Sequence, residues 1–174
     1  MPHKNYPYYP HQKLTTFSEL LDYSCQKYKG STVFSFHQNG ELVRKSFYNF
    51  ADDVYSLAEF FAKKYQGKHL AVCGENSYNW LITFLAIVIS GNVCVPIDKD
   101  ADEKLLKTLL KNSDTDILFY SEKYLPFVTK MKIKKERLED TAKKLSTPVN
   151  KRSKSTQSTQ KTQKSTTAQK SSDP

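Results

Sequence analysis

Glycine is scarce in this sequence. The chain has five glycines among 174 residues, and none of them follows Gly91. Since glycine lets backbone N–H groups come close to phosphate oxygens, we expect no glycine-rich phosphate-binding loop after that residue. The G-x-G-x-x-G pattern of dinucleotide-binding turns and the G-x-S-x-G elbow of serine hydrolases are also absent.

Cysteines are few and widely separated. Cys25, Cys73 and Cys94 form no C-x-x-C pair, and the histidines are not spaced to suggest a zinc site. Cys73 and Cys94 lie in apolar runs and are predicted to be buried thiols, which fits a reducing compartment. Residues 1–9 contain no apolar signal segment, so the expected location is the cytoplasm.

The chain also lacks an unbroken apolar run of the length that a membrane span requires. The run from Trp80 to Ile89 stops at Ser90-Gly91-Asn92 and resumes at residues 93–97. About 20 consecutive apolar residues are needed to cross a bilayer, so a buried helix followed by a buried strand is the favoured interpretation. A membrane anchor is the alternative.

No arrangement of acids and bases indicates catalysis. Asp52 and Asp53 are adjacent on a predicted helix, so their side chains point in different directions and are expected to lie on a solvated face. Trp80 is expected to lie in the core. The four histidines are scattered along the chain: His3, His11, His37 and His69.

Positive charge is concentrated at the C-terminal end. Residues 1–129 carry 14 basic and 14 acidic side chains, whereas residues 130–174 carry 13 basic and 4 acidic ones. Residues 146–174 are almost entirely Ser, Thr, Gln and Lys, which predicts a disordered tail. Such a tail binds polyanions weakly and in a salt-dependent manner, but without aromatic residues it is not expected to recognise a specific nucleic acid.

The first elements are predicted to be a helix and a hairpin. Thr16 and Glu19 have the spacing of a capping box ahead of a helix at residues 17–28. Residues 33–36 and 41–46 flank a turn at 37–40, and its Asn39-Gly40 pair tolerates positive φ, so a β-hairpin is predicted. The helix is expected to pack its apolar stripe inward, through Phe17, Leu20, Leu21, Cys25 and Tyr28.

A regular alternation of strands and helices follows a strongly amphipathic helix at residues 48–65. Strands are predicted at 69–73, 93–97 and 116–120, with helices between them. Short loops in the order strand, helix, strand, helix, strand indicate an α/β fold with a parallel βαβαβ sheet. Residues 126–145 are charge-rich and predict at most a frayed helix.

The turn from Gly74 to Ser77 ends the first of these strands and opens a helix. A turn at this place in an α/β protein can bind an anion, but this turn has one glycine and lacks the G-x-G-x-x-G pattern, which favours a purely structural role.

Five segments in consistent order resemble the N-terminal region of long-chain acyl-CoA synthetases, which belong to the AMP-binding, adenylate-forming family. The segments are YYP at residues 8–10, SFYNF at 46–50, GENSYNW at 74–80, SGNVCVPID at 90–98 and ILFYS at 117–121. The resemblance covers residues 8–125 and implies the N-terminal subdomain of the adenylate-forming fold.

The family's activity is implied by the same resemblance. A carboxylate attacks ATP to form an acyl-adenylate, and coenzyme A then displaces AMP, with Mg²⁺ neutralising charge. The family's phosphate loop, magnesium motif, ribose-binding Asp and catalytic Lys have no counterparts here, so no catalytic, cofactor-binding or metal-binding residue is carried over. The chain is therefore expected to be a truncated N-terminal portion, inactive alone and without a bound cofactor.

Two alternatives stay open. In the first alternative, a second chain supplies the rest of the ligase and the two chains assemble. The reason is that a partial parallel sheet leaves an unpaired edge and an exposed apolar face, which another chain can cover. The other alternative is a binding module that uses its basic tail on polyanions.

Overall fold

The computed structural model describes residues 12–38 and 40–145. The predicted basic tail at 146–174 and the N-terminal lead-in at 8–10 lie outside these residues. The elements, in chain order, are α1 (Phe17–Tyr28), β1 (Thr32–Gln38), β2 (Glu41–Ser46), α2 (Phe47–Lys64), β3 (His69–Cys73), α3 (Tyr78–Ile89), β4 (Val93–Ile97), α4 (Glu103–Asn112), β5 (Ile117–Tyr120), α5 (Leu125–Val128), β6 (Lys134–Arg137) and α6 (Leu138–Lys144).

The main sheet is parallel and contains the three predicted strands. Its strand order is β4-β3-β5-β6, so the chain first moves from β3 to β4 and then crosses back to the other side of β3. The order reverses between β3 and β5, which makes the carboxyl ends of these two strands the topological switch point of the sheet. The predicted α/β class is confirmed.

The fourth strand, β6, corrects the prediction of a charged, frayed helix over residues 126–145. Helix is present only at α5 and α6, and the strand between them has the sequence KKER. Its charged side chains find partners at the sheet edge: the Tyr65 hydroxyl donates to Glu136 at 2.6 Å. An edge strand tolerates such residues, so it carries no apolar signal in the sequence.

Two cores lie on opposite faces of the sheet because side chains alternate along each strand. Leu70 and Val72 of β3 face α2 and α3. Ala71 and Cys73 of the same strand face α4 and the segment that follows β5.

The apolar stripe predicted for α2 is completely buried. All of its predicted stripe residues are buried: Phe50, Val54, Leu57, Ala58 and Phe61. The ring of Phe61 is fully buried, with its centroid 5.2 Å from that of Phe119 on β5 and 5.7 Å from that of Tyr65. This helix therefore anchors one face of the sheet.

Helix α1 has the predicted capping box but not the predicted burial. Thr16 accepts the Glu19 N–H at 3.1 Å, and the Glu19 carboxylate accepts the Thr16 N–H at 3.2 Å. Only Leu21 is buried, whereas Phe17, Leu20 and Tyr28 are 43%, 46% and 44% exposed. Within the part of the chain that the structure describes, α1 packs mainly against α2 and α3, which leave its other side uncovered.

The hairpin is antiparallel, as predicted, and Gly40 has a φ of 83°. Asn39 lies outside the described residues. The hairpin packs on the start of α3, since the ring of Tyr78 lies 5.1 Å from that of Phe36 and 5.6 Å from that of Phe34.

The apolar run that raised the membrane question forms α3 and β4. Helix α3 is 12 residues long. Among the helices in the described part of the chain, none combines the length and hydrophobicity needed to cross a bilayer.

Candidate functional site

An open cavity of about 510 Å³ lies at the carboxyl ends of β3 and β4. This edge of a parallel sheet is where α/β proteins usually bind their ligands. The cavity is lined by the turn after β3, the start of α3 and the loop after β4, through Gly74, Asn76, Trp80, Pro96, Ile97, Asp98, Lys99 and Asp100.

The charges at this edge do not favour an anion. Lys99 pairs with Asp100 at 2.7 Å, and Lys123 pairs with Glu75 at 3.1 Å. The bond from Lys99 lowers the pKa of the Asp100 carboxyl, so this acid stays ionised at neutral pH. Because Asp98 adds a further negative charge, a phosphate group would meet net repulsion here.

The turn from Gly74 to Ser77 has a structural role in the fold. Ser77 caps α3 by accepting the Trp80 N–H at 3.1 Å. A Cβ on Gly74 would lie 3.0 Å from Cδ1 of Leu138 and 3.1 Å from Oγ of Ser121. The switch-point crevice between β3 and β5 is thus filled by the first residue of α6, and the open space lies beside it.

The ends of β3, β4 and β5 are joined by hydrogen bonds behind the cavity, and Tyr124 donates one of them. Its hydroxyl donates to the carbonyl of Lys99, in the loop after β4. The Ser121 N–H, directly after β5, donates to the carbonyl of Cys73 at 3.1 Å, and the Cys73 thiol faces the Asp98 carbonyl at 4.0 Å. Burial raises the pKa of Cys73 to about 11, so it is a thiol and not a nucleophilic thiolate at neutral pH.

Replacing Tyr124 with phenylalanine tests how much the hydrogen bond from its hydroxyl to the Lys99 carbonyl stabilises the fold. The variant leaves the Lys99 carbonyl without its donor, and we expect the free energy of unfolding to fall by about 1 kcal/mol. Urea unfolding followed by circular dichroism measures the loss. Tyr48→Phe, on an exposed ring, is the control and should be neutral. A Tyr124→Phe variant that is as stable as the unaltered chain would show that the Tyr124 hydroxyl contributes nothing to stability.

Trp80 is half-buried and forms a wall of the cavity, so the expected core position is only partly correct. Its ring stacks on Phe84 at 5.4 Å. Its indole N–H is buried and has no hydrogen-bond partner among the described residues.

The two adjacent acids of α2 differ. Asp52 is exposed, as predicted. Asp53 was wrongly assigned to a solvated face: its side chain is 16% exposed, accepts from Lys45 at 2.7 Å and accepts from the Tyr78 hydroxyl at 2.6 Å. The two acids do not form a facing pair, and Asp53 instead joins β2, α2 and α3.

The remaining candidate residues do not converge. His37 is exposed on β1, His69 lies with Nδ1 2.7 Å from the Ser113 carbonyl oxygen, and His3 and His11 lie outside the described residues. All three cysteines are free, and burial raises the pKa of Cys94 to about 12. No group of three potential metal ligands occurs within the segments 12–38 and 40–145.

The fold has solved counterparts among adenylate-forming enzymes. The N-terminal subdomain of NpsA from Klebsiella oxytoca matches with a TM-score of 0.63 and 17% identity, over 76% of this chain and 33% of that one. A fatty acid AMP ligase from Legionella pneumophila matches with a TM-score of 0.58 and 17% identity, over 71% and 23%. This chain therefore spans about a third or less of the length of these two structures.

The sequence places the chain in the same group. The family model for AMP-binding enzymes matches residues 21–174. The chain belongs to the AMP-binding enzyme family, and its fold is that of the N-terminal subdomain of these enzymes. A comparison with curated proteins gave no match.

Proposed function

We propose that this chain is the N-terminal portion of an AMP-forming ligase that activates fatty acids, first as acyl-adenylates and then as acyl-CoA thioesters, and that it is inactive alone. The collinear segments that resemble long-chain acyl-CoA synthetases support the choice of substrate, as does the likeness to a fatty acid AMP ligase. Three free cysteines fit the cytoplasmic location that we propose with it.

The inactivity rests on one observation, the chemistry of the loops at the carboxyl edge of the sheet. These loops carry Glu75, Asp98, Asp100 and Glu122, and the one glycine at this edge, Gly74, is packed against side chains. A nucleotide triphosphate requires free backbone N–H groups and unpaired cations instead. We therefore expect the chain by itself to bind no ATP, Mg²⁺ or coenzyme A, the cofactors of the parent family.

Pyrophosphate exchange tests the proposal directly. With radiolabelled pyrophosphate, ATP, Mg²⁺ and either decanoate or palmitate, the purified 174-residue chain should give no labelled ATP above the protein-free background. Circular dichroism on the same sample shows whether the chain is folded, so that loss of structure is not mistaken for inactivity. Clear exchange by folded chain would overturn the inactive assignment.

A split ligase is the second candidate, and the exposed surface at β4 favours it. Among the described residues, strand β4 pairs only with β3, and both Val93 and Pro96 on it are exposed. Beside it, α3 presents half-buried apolar side chains, including Leu81 and Leu85. A strand with one unpaired edge, next to apolar side chains, is typical of a surface that another protein segment covers.

The coding sequence directly downstream discriminates between the two candidates. A phosphate loop encoded there supports a split ligase, and the two chains mixed together should then exchange pyrophosphate while neither does so alone. If no phosphate loop is encoded there, the first candidate, an inactive N-terminal portion without a partner chain, is favoured. The polyanion alternative depends on residues 146–174, outside the described part of the chain, and stays a prediction.

A further inference from the structure

A second cavity lies away from the candidate site, beside the amino ends of β5 and β6. It has a volume of about 400 Å³ and is bounded by the C-terminal half of α4 and by the loop between α5 and β6. We call it the lysine groove; its lining residues are Lys107, Leu110, Lys111, Thr115, Lys130, Met131, Lys132 and Ile133.

The walls of the lysine groove carry four positive charges and no acid. Lys107 pairs with Glu103, its neighbour one turn earlier on α4, at 2.5 Å. Lys111, Lys130 and Lys132 take part in none of the ion pairs found within residues 12–38 and 40–145. Like charges on facing walls repel one another, and an anion between them relieves that repulsion.

The floor of the lysine groove is apolar. Leu110 is buried beneath it, and Met131 and Ile133 are half-buried along it. A purely inorganic anion would leave these side chains in contact with water. A ligand that also carries an aliphatic segment would cover them and gain the hydrophobic contribution.

The loop wall is held in place by a lysine that does not line the groove. Lys135 on β6 donates from Nζ to the carbonyls of Val128 at 2.6 Å, Met131 at 2.8 Å and Thr129 at 3.2 Å. All three ammonium donors are thus used on one short loop. A wall fixed before binding loses little conformational entropy when a ligand arrives.

We propose that the lysine groove binds an amphiphilic anion, with one negatively charged head group between the lysines and a short aliphatic chain on the apolar floor. The groove has a volume of about 400 Å³ and is open to solvent, so an aliphatic chain can lie along its floor. Decanoate, a single carboxylate on a short aliphatic chain, has this chemistry. The inference does not rest on the proposed ligase function.

Titration of the ¹⁵N-labelled full chain with decanoate, below its micelle concentration, tests the proposal. We expect amide shifts in residues 107–111 and 130–133, and a severalfold weaker affinity when ionic strength rises from about 0.05 to 0.2 M, because screening increases with salt. Decyl sulfate should bind similarly, which would show that any single anionic head group suffices. Decanol and inorganic phosphate should each bind at least about tenfold more weakly, since each lacks one of the two contacts.

A charge-matched pair of variants locates the site. Lys130→Gln with Lys132→Gln should weaken decanoate binding about tenfold, whereas Lys63→Gln with Lys143→Gln, on exposed side chains elsewhere, should change it less than twofold. The basic tail at residues 146–174 is identical in the two double variants. Any decanoate that binds to the tail therefore contributes equally to both measurements. Equal affinities in the two variants, shifts outside the groove, or phosphate binding as tight as decanoate binding would each overturn the proposal.

Discussion

Replacing Phe61 with alanine is expected to lower the free energy of unfolding by about 3–5 kcal/mol, the usual range for a buried phenylalanine. Phe61 is fully buried where α2 meets the sheet, against the rings of Phe119 and Tyr65. The truncation removes the transfer free energy of the ring and leaves a cavity that a β-strand and a helix cannot close by moving.

The size of that loss makes the variant informative. Small domains are stable by about 5–15 kcal/mol, so Phe61→Ala should remove a large part of the total. Urea unfolding followed by circular dichroism measures it. Phe17→Ala is the control, because this phenylalanine is exposed on α1 and contacts Phe84 by one ring edge. Equal losses in the two variants would contradict the assignment of Phe61 to the core.

Replacing Gly74 with valine should destabilise the chain by about 3 kcal/mol through overpacking. A Cβ at this position meets Leu138 and Ser121 at close to 3 Å, and a branched side chain adds two methyl groups in the same space. Relief would require the side chains of Leu138 and Ser121 to shift, and Leu138 is itself buried in the core. The same unfolding measurement reports the loss.

Two further variants separate overpacking from a general effect of losing glycine. Gly30→Val is the control, because a Cβ at Gly30 meets nothing within 4 Å, and it should change the stability by less than about 0.5 kcal/mol. Combining Gly74→Val with Leu138→Ala should cost less than the sum of the two single changes, because the smaller side chain makes room. Strict additivity would show that Gly74 and Leu138 do not compete for space.

The central part of the fold could be predicted from the sequence because its signals are local. The stripe of α2, the capping box at Thr16 and the strands β3, β4 and β5 each depend on residues close together in the chain. Periodicity and caps act within one element, so they can be found without knowing what the element packs against.

The features that the sequence did not predict depend on contacts between residues far apart in the chain. β6 was missed because a charged edge strand has no apolar alternation, and its place in the sheet comes from hydrogen bonds to β5. The exposure of Phe17 and Leu20 and the pairing of Asp53 with Tyr78 depend on where α1 and α3 lie relative to α2. Helical periodicity shows which residues share a face, but not whether another element covers that face.

Some features of the candidate site could likewise be predicted from the sequence, and others could not. The order of residues along the chain was enough to place the turn at 74–77 after a strand and to show that no glycine follows Gly91. It could not show that Leu138, 64 positions after Gly74, fills the crevice between β3 and β5, or that lysines from α4 and a distant loop face one another across a groove. Those contacts join residues far apart in the chain, and they exist only once the crossovers of the sheet have brought the segments together.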